Sequence, residues 1–324
     1  MAQFKITEAR LRQIKQRQWE DRWGSDYIAS IFADPKEAPG ISTGTILRPR
    51  KLGCREFHTL SGAETAASLL ALHHPDCWDI FDQRIMYPTP RAHFLYGHPR
   101  ASGLAFKPFR GTLDVAERLG MLAKHPKVRL HIGSDPKEWP IAPFPYICDL
   151  SLFLCDNNGP YMLNWPVKDK LDDFRKPGPR KSRSRPDAED PGAVARDLLE
   201  ETYHSDAGIR TQRIAGKAID FDLRCNLRDL FLDDTFPTNV NDAHRTEIMS
   251  QYRSTIGADI PAHVTARKVA SDYKISAREA VALIKQGIWR RELRVDLFQP
   301  ILMDKPLSPE KMDVFVRYGD WFKR

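Results

Sequence analysis

The chain has no run approaching the roughly 18 consecutive apolar residues that a membrane span needs, so no transmembrane helix is expected. Its opening residues, Met-Ala-Gln-Phe-Lys-Ile-Thr-Glu, carry charge where a secretory leader needs an apolar stretch, which predicts a cytosolic protein. Cysteine is sparse. The five residues Cys54, Cys77, Cys148, Cys155 and Cys225 are odd in number and form no CxxC, which argues against a disulfide framework. Cys54-x-x-x-His58 and His73-x-x-x-Cys77 have the ligand types of a zinc site, but a helical stretch separates the two pairs. There is no GxxxxGK[ST] phosphate loop, so the chain gives no sign of being an ATPase, and no GxSxG elbow for covalent catalysis. What is present is a chain of 324 residues, 41% hydrophobic and 29% charged, enough for two globular units. Its net charge of +7 is compatible with nucleic acid, although many enzymes that never meet DNA are as basic.

Leu11, Ile14, Gln18 and Trp19 recur at helical spacing near the start. Ser61, followed three residues later by Glu64, is a capping-box signature and predicts a helix running to His73, before Pro75. Cys77–Tyr87 reads as a strand ending at Pro88. Residues 89–145 are rich in Pro, Gly and His, with a helix expected around 115–123. Between 175 and 186 lie six basic residues, no acidic ones and three prolines, so 175–192 is expected to be a mobile basic loop, with Arg180, Lys181, Arg183 and Arg185 as candidate DNA-backbone contacts. Residues 193–203 read as helix and 209–215 as strand. Beyond Cys225 the pattern turns helical. Residues 264–273, a short turn and 277–293 resemble a helix-turn-helix, and 294–306 have the character of a β-hairpin wing. Two domains follow, 1–225 and 226–324. Arg278, Lys285, Arg290 and Arg291 on the second helix could touch DNA, or the module could dock a protein.

The strongest pairing signal is a hairpin, Tyr146–Cys155 against Tyr161–Lys168, with Asn158-Gly159 suited to a type I′ turn. That turn places Asp149 opposite Lys168. A slip of one residue on each strand puts Pro166 opposite Asp149 and makes Lys168 the diagonal neighbour. Either way an acid and a lysine share a sheet face, preceded by a helix carrying Glu64. Hard carboxylate oxygens suit Mg²⁺, and a nearby lysine can orient water and offset phosphate charge. The residues alone equally allow a surface ion pair and a simple helix cap.

The run His58-Thr-Leu-Ser-Gly-Ala-Glu64, then Trp78-Asp-Ile-Phe-Asp-Gln-Arg-Ile-Met-Tyr-Pro88, Ile147-Cys-Asp149 and Val167-Lys168, resembles the TnsA-type endonuclease subunit of heteromeric Tn-seven-like transposases over roughly residues 45–225. The resemblance implies an α/β, restriction-endonuclease-like fold of the PD-(D/E)xK type, a mixed sheet flanked by helices, followed by a smaller, mostly helical winged-helix domain. It implies catalytic residues Glu64, Asp149 and Lys168, with Mg²⁺ (Mn²⁺ substituting) held by Glu64 and Asp149, and the Val167 carbonyl a candidate third ligand. The implied activity is hydrolysis at the 5′ ends of a transposon in double-stranded DNA, beside a DDE-type transposase and an AAA+ regulator. The family places Glu or Gln two residues before the lysine; here stands Pro166, so a third oxygen must come from the Val167 carbonyl, Asn164 or water. A stand-alone restriction- or repair-type nuclease, or an inactive DNA- or protein-binding scaffold, are the alternatives.

Overall fold

In the computed structural model, which describes residues 6–39, 43–132, 135, 138–176 and 188–324, the first helix, α1 (Glu8–Gln18), starts where the Thr7 hydroxyl accepts from the Arg10 N–H. A short antiparallel pair, β1 (Thr45–Leu47) and β2 (Phe57–Thr59), leads into α2 (Gly62–His73). Then come β3 (Cys77–Met86), α3 (Thr112–Arg118), the antiparallel pair β4 (Lys127–Arg129) and β5 (Ile141–Pro143), and the long hairpin β6 (Tyr146–Asp156) and β7 (Gly159–Trp165). β8 (Val167–Lys168), α4 (Pro191–Asp206), β9 (Arg210–Thr211) and β10 (Ile214–Ala215) complete this part. The basic residues Arg180, Lys181, Arg183 and Arg185 lie outside the described residues.

The main sheet runs β3-β6-β7-β9, antiparallel except for the parallel β7–β9 pair, so the architecture is α/β with a mixed sheet. β3 is buried along almost its whole length. Its outer edge is closed by side chains and loops: Arg55 donates to the Ile80 carbonyl and pairs with the buried Asp82 carboxylate at 2.8 Å, which also accepts from the His58 N–H. Beneath lies an aromatic core in which Tyr27 stacks on Phe81 and Phe109 on Tyr203.

Three local expectations need correction. The third helix starts and stops earlier than 115–123, because Gly120 takes φ +67° just after it and ends the turn. The predicted strand 209–215 is two short strands, since its partner is itself broken: β9 pairs with β7, and β10 pairs with β8 beyond Pro166. The hairpin turn is not type I′. Only Gly159 takes positive φ, Asp156 Oδ1 accepts from the Asn158 N–H, and the tip is Asn157-Asn158.

The chain divides into two compact units, Met1–Ser68 with Asp76–Ala218 and Arg324, and Leu69–Pro75 with Ile219–Lys323. The second is mostly helical: α5 (Phe221–Leu232), α6 (Asp242–Thr255), α7 (Ala262–Asp272), α8 (Ala277–Trp289) and the short α9 (Val314–Arg317). Ser276 caps α8 in a full capping box with Glu279. The expected wing is not a hairpin. Residues 294–309 form only isolated bridges, Pro261–Pro306 and Val295–Pro309, because Pro300, Pro306 and Pro309 have no N–H to give a ladder. Among the described residues no helix is long and apolar enough to cross a membrane.

Candidate active site

The β6–β7 ladder ends at Leu150–Trp165, which places Pro166 across from Asp149 and makes Lys168 the diagonal neighbour. Proline cannot donate, so the next peptide does the pairing: the Val167 N–H donates to Asp149 Oδ2 at 2.8 Å. The Pro166 carbonyl points the other way and accepts from the Ile214 N–H on β10. Because consecutive peptide dipoles alternate along a strand, the Val167 carbonyl lies on the side away from β10.

Lys168 follows on β8, and β10 beside it leads into Gly216. A Cβ on Gly216 would stand 2.6 Å from the Ala63 Cβ, so this close approach tolerates no side chain and sets the first turn of α2 directly against the strand pair that carries Lys168. That turn carries Glu64. Its carboxylate reaches back one residue further than in a standard capping box: Oε2 accepts from the Leu60 N–H at 2.8 Å, Oε1 from the Ser61 hydroxyl, and the Glu64 N–H donates to Ser61 Oγ. Gln83 Nε2 donates to Oε2 at 3.0 Å.

Glu64, Gln83, Asp149 and Lys168 thus line one cleft of about 580 Å³, with Lys124 and Arg196 also on its walls. Burial pushes the Glu64 carboxyl well above the ordinary carboxylate range, and the Asp149 charge pushes the same way, while Lys168 opposes them. Glu64 therefore has two reasons to resist ionising, one of which a cation between the carboxylates would remove. Lys168 has no hydrogen-bond or ion-pair partner among the described residues. Asn164 does not line this cleft, and its Oδ1 is buried without a hydrogen-bond partner among the described residues. It is fully buried, and its Nδ2 donates to Glu200 Oε1 at 3.0 Å and to the Thr211 hydroxyl. Among the described residues no three His, Cys, Asp or Glu side chains form a metal-binding group. The two carboxylates that the cleft gathers, Glu64 and Asp149, are hard oxygen donors, which suit Mg²⁺ rather than a softer ion.

The other candidates are engaged elsewhere. His58 Nδ1 accepts from the Ala33 N–H and His73 Nδ1 bonds the Trp289 carbonyl, and among the described residues neither joins a metal-binding group, so the zinc spacing is not assembled. On α8 and just beyond it, Arg278 pairs with Asp233, Lys285 with Asp229 and Asp233, Arg290 with Asp234 and Arg291 with Asp313. Four groups near the site escape a reading of the sequence: Gln83, Glu200, Lys124 and Arg196. Gln83 stands in the run Trp78–Pro88 with no role attached, and Glu200 leaves a trace as an acid between Leu199 and Tyr203 on the apolar face of its helix. Burial lifts its carboxyl to about 7, and the Asp149 charge adds to the shift.

Compared with known proteins, the chain matches no protein-family model and no curated sequence.

Proposed function

We propose that the chain is a metal-dependent DNA endonuclease with a restriction-endonuclease-like fold, acting as the TnsA-type subunit of a heteromeric cut-and-paste transposase. The observation that carries this reading is the convergence of Glu64, Asp149 and Lys168, from a helix and two strands far apart in sequence, on one cleft with cationic walls. Glu64, Asp149 and the Val167 carbonyl would hold Mg²⁺, which when bound lowers the pKa of its water and neutralises phosphate charge. The chain's own groups prepare the rest. The Val167 N–H fixes the Asp149 carboxylate, and Leu60, Ser61 and Gln83 fix that of Glu64. The uncommitted Lys168 ammonium orients the attacking water and offsets charge gathering on the phosphoryl oxygens. Lys124 and Arg196 stand where neighbouring backbone phosphates would run.

The substrate on this reading is double-stranded DNA at the 5′ ends of a transposon, in the bacterial cytosol. A DDE-type transposase cuts the 3′ ends and an AAA+ regulator licenses the reaction. The ion pairs that occupy the basic side chains of α8 favour a protein-docking role for the second unit over DNA readout. Pro166 favours one rival, a catalytically inactive scaffold. The test is cleavage of transposon-end DNA by the full chain with its transposase and Mg²⁺, wild type against Asp149→Ala. Loss of 5′ cleavage of at least about a hundredfold with an unchanged melting curve is expected, since Asp149 acts in the chemical step. Cleavage surviving in the variant would overturn the assignment.

A further inference from the structure

Gln83 is the one residue of β3 with a positive φ, +51°, in a region that side-chain-bearing residues seldom occupy. The flanking pairs Asp82–Leu150 and Arg84–Cys148 put it directly across from Asp149, at the single position between them where the ladder is missing. Its carbonyl is turned out of the sheet and caught by three donors, the Ser30 N–H at 3.2 Å, the Ser30 hydroxyl at 2.6 Å and Gln18 Nε2 at 3.2 Å. Two other elements thus hold the strained peptide in place. The side chain lines the cleft, and Nε2 donates to Glu64 Oε2. Once Glu64 is ionised, as a bound cation requires, its carboxylate can only accept, so the amide nitrogen faces Glu64 and the amide oxygen faces away from it. Oε1 has no hydrogen-bond partner among the described residues and is not sealed from solvent.

We infer that Gln83 Oε1 is the third side-chain oxygen of the cation site, supplied by β3 because Pro166 cannot supply one from the strand bearing Lys168. This rests on the reading of Glu64 and Asp149 as ligands. Gln83 stands across from Asp149 in the register, its amide reaches Glu64, and all three side chains line the same cleft. A neutral amide oxygen is a hard donor suited to Mg²⁺ or Mn²⁺, and it adds no third negative charge to a cleft that already holds two.

The experiment titrates Mn²⁺ into the full-length protein and counts free ion by its paramagnetic resonance, so that cleavage plays no part in the readout. Wild type, Asp149→Ala, Gln83→Gly and Gln83→Glu are compared, each with a thermal melt. Glycine accepts φ +51° without strain, so Gln83→Gly should still fold cooperatively, with a melt lowered only by the lost buried side chain, while binding Mn²⁺ at least about tenfold more weakly. Gln83→Glu, which restores an oxygen, should return affinity to the wild-type range. Should Gln83→Gly fail to fold, Gln83→Asn, which tolerates the left-handed region but is too short to reach, stands under the same criterion. Wild-type affinity in Gln83→Gly, with binding lost in Asp149→Ala, would overturn the inference and leave the cation site standing. No binding in wild type, or equal binding in Asp149→Ala, would bring down the site itself.

Discussion

Glu200 occupies a position on α4 where the helical pattern calls for an apolar residue, between Leu199 and Tyr203, and it is 6% exposed. Its proton has consequences for stability. The carboxyl is lifted from 4.5 to about 7 in the folded protein, so the folded chain binds more protons than the unfolded one across that window. The contribution of this group to stability is then greatest below about pH 4.5, falls as pH rises, and levels off above about 7. Glu200→Gln mimics the protonated acid and keeps the oxygen that accepts from Asn164. It should melt like wild type at about pH 4.5 and be more stable at about pH 8, by up to roughly 3 kcal/mol. Melting curves at both pH values check this, and parallel slopes for the two proteins would remove Glu200 as the cause. At the same scale, the acid–lysine face of Asp149 and Lys168 was legible in the sequence because strand alternation alone determines it. Gln83 was not, because a left-handed residue inside a strand depends on donors from Gln18 and Ser30, more than fifty positions earlier.

Among elements, the helix carrying Glu64 was the most legible, since Ser61, Glu64 and Pro75 mark both its ends locally. The hairpin existed as expected, but its turn slipped: the Asp156 carboxylate captured the Asn158 N–H and moved the tip by one residue. The irregular run between β3 and β6 gave little periodicity to read, because its burial comes from scattered aromatics such as Phe94 and Phe109 rather than a repeating face. What unites these elements into a site is Gly216. A methyl group there would meet the Ala63 Cβ at 2.6 Å and its Cα at 2.8 Å, backbone that cannot swing aside. Gly216→Ala should therefore push the first turn of α2 away from β8 and β10. A loss of about 1–3 kcal/mol in stability is expected from such overpacking. Because Glu64 and Lys168 separate in the same movement, cleavage should fall further than the folded fraction does. Activity that tracks the folded fraction alone would mean that this close approach serves only the fold.

At the scale of the whole molecule, an excess of seven positive charges is compatible with DNA binding and with much else, so where those charges stand matters more than their sum. On the second unit the basic side chains of α8 and of the two residues after it are engaged by Asp229, Asp233, Asp234 and Asp313. Asp233 is the pivot: its side chain is 2% exposed and both Arg278 and Lys285 reach it. Removing both cations leaves a buried carboxylate without compensation. The double substitution Arg278→Ala with Lys285→Ala should then cost about 1–3 kcal/mol of stability. It should not change how DNA affinity depends on salt. On the first unit, Lys124 and Arg196 are exposed on the walls of the cleft. Lys124→Ala with Arg196→Ala should lower the slope of log affinity against log salt by about 0.9 for each phosphate that is no longer neutralised. Measuring both slopes on the full chain separates the two surfaces. A reduced slope in the Arg278 and Lys285 variant would mean that those ion pairs open to DNA, and the second unit would have to be counted among the parts that grip the substrate.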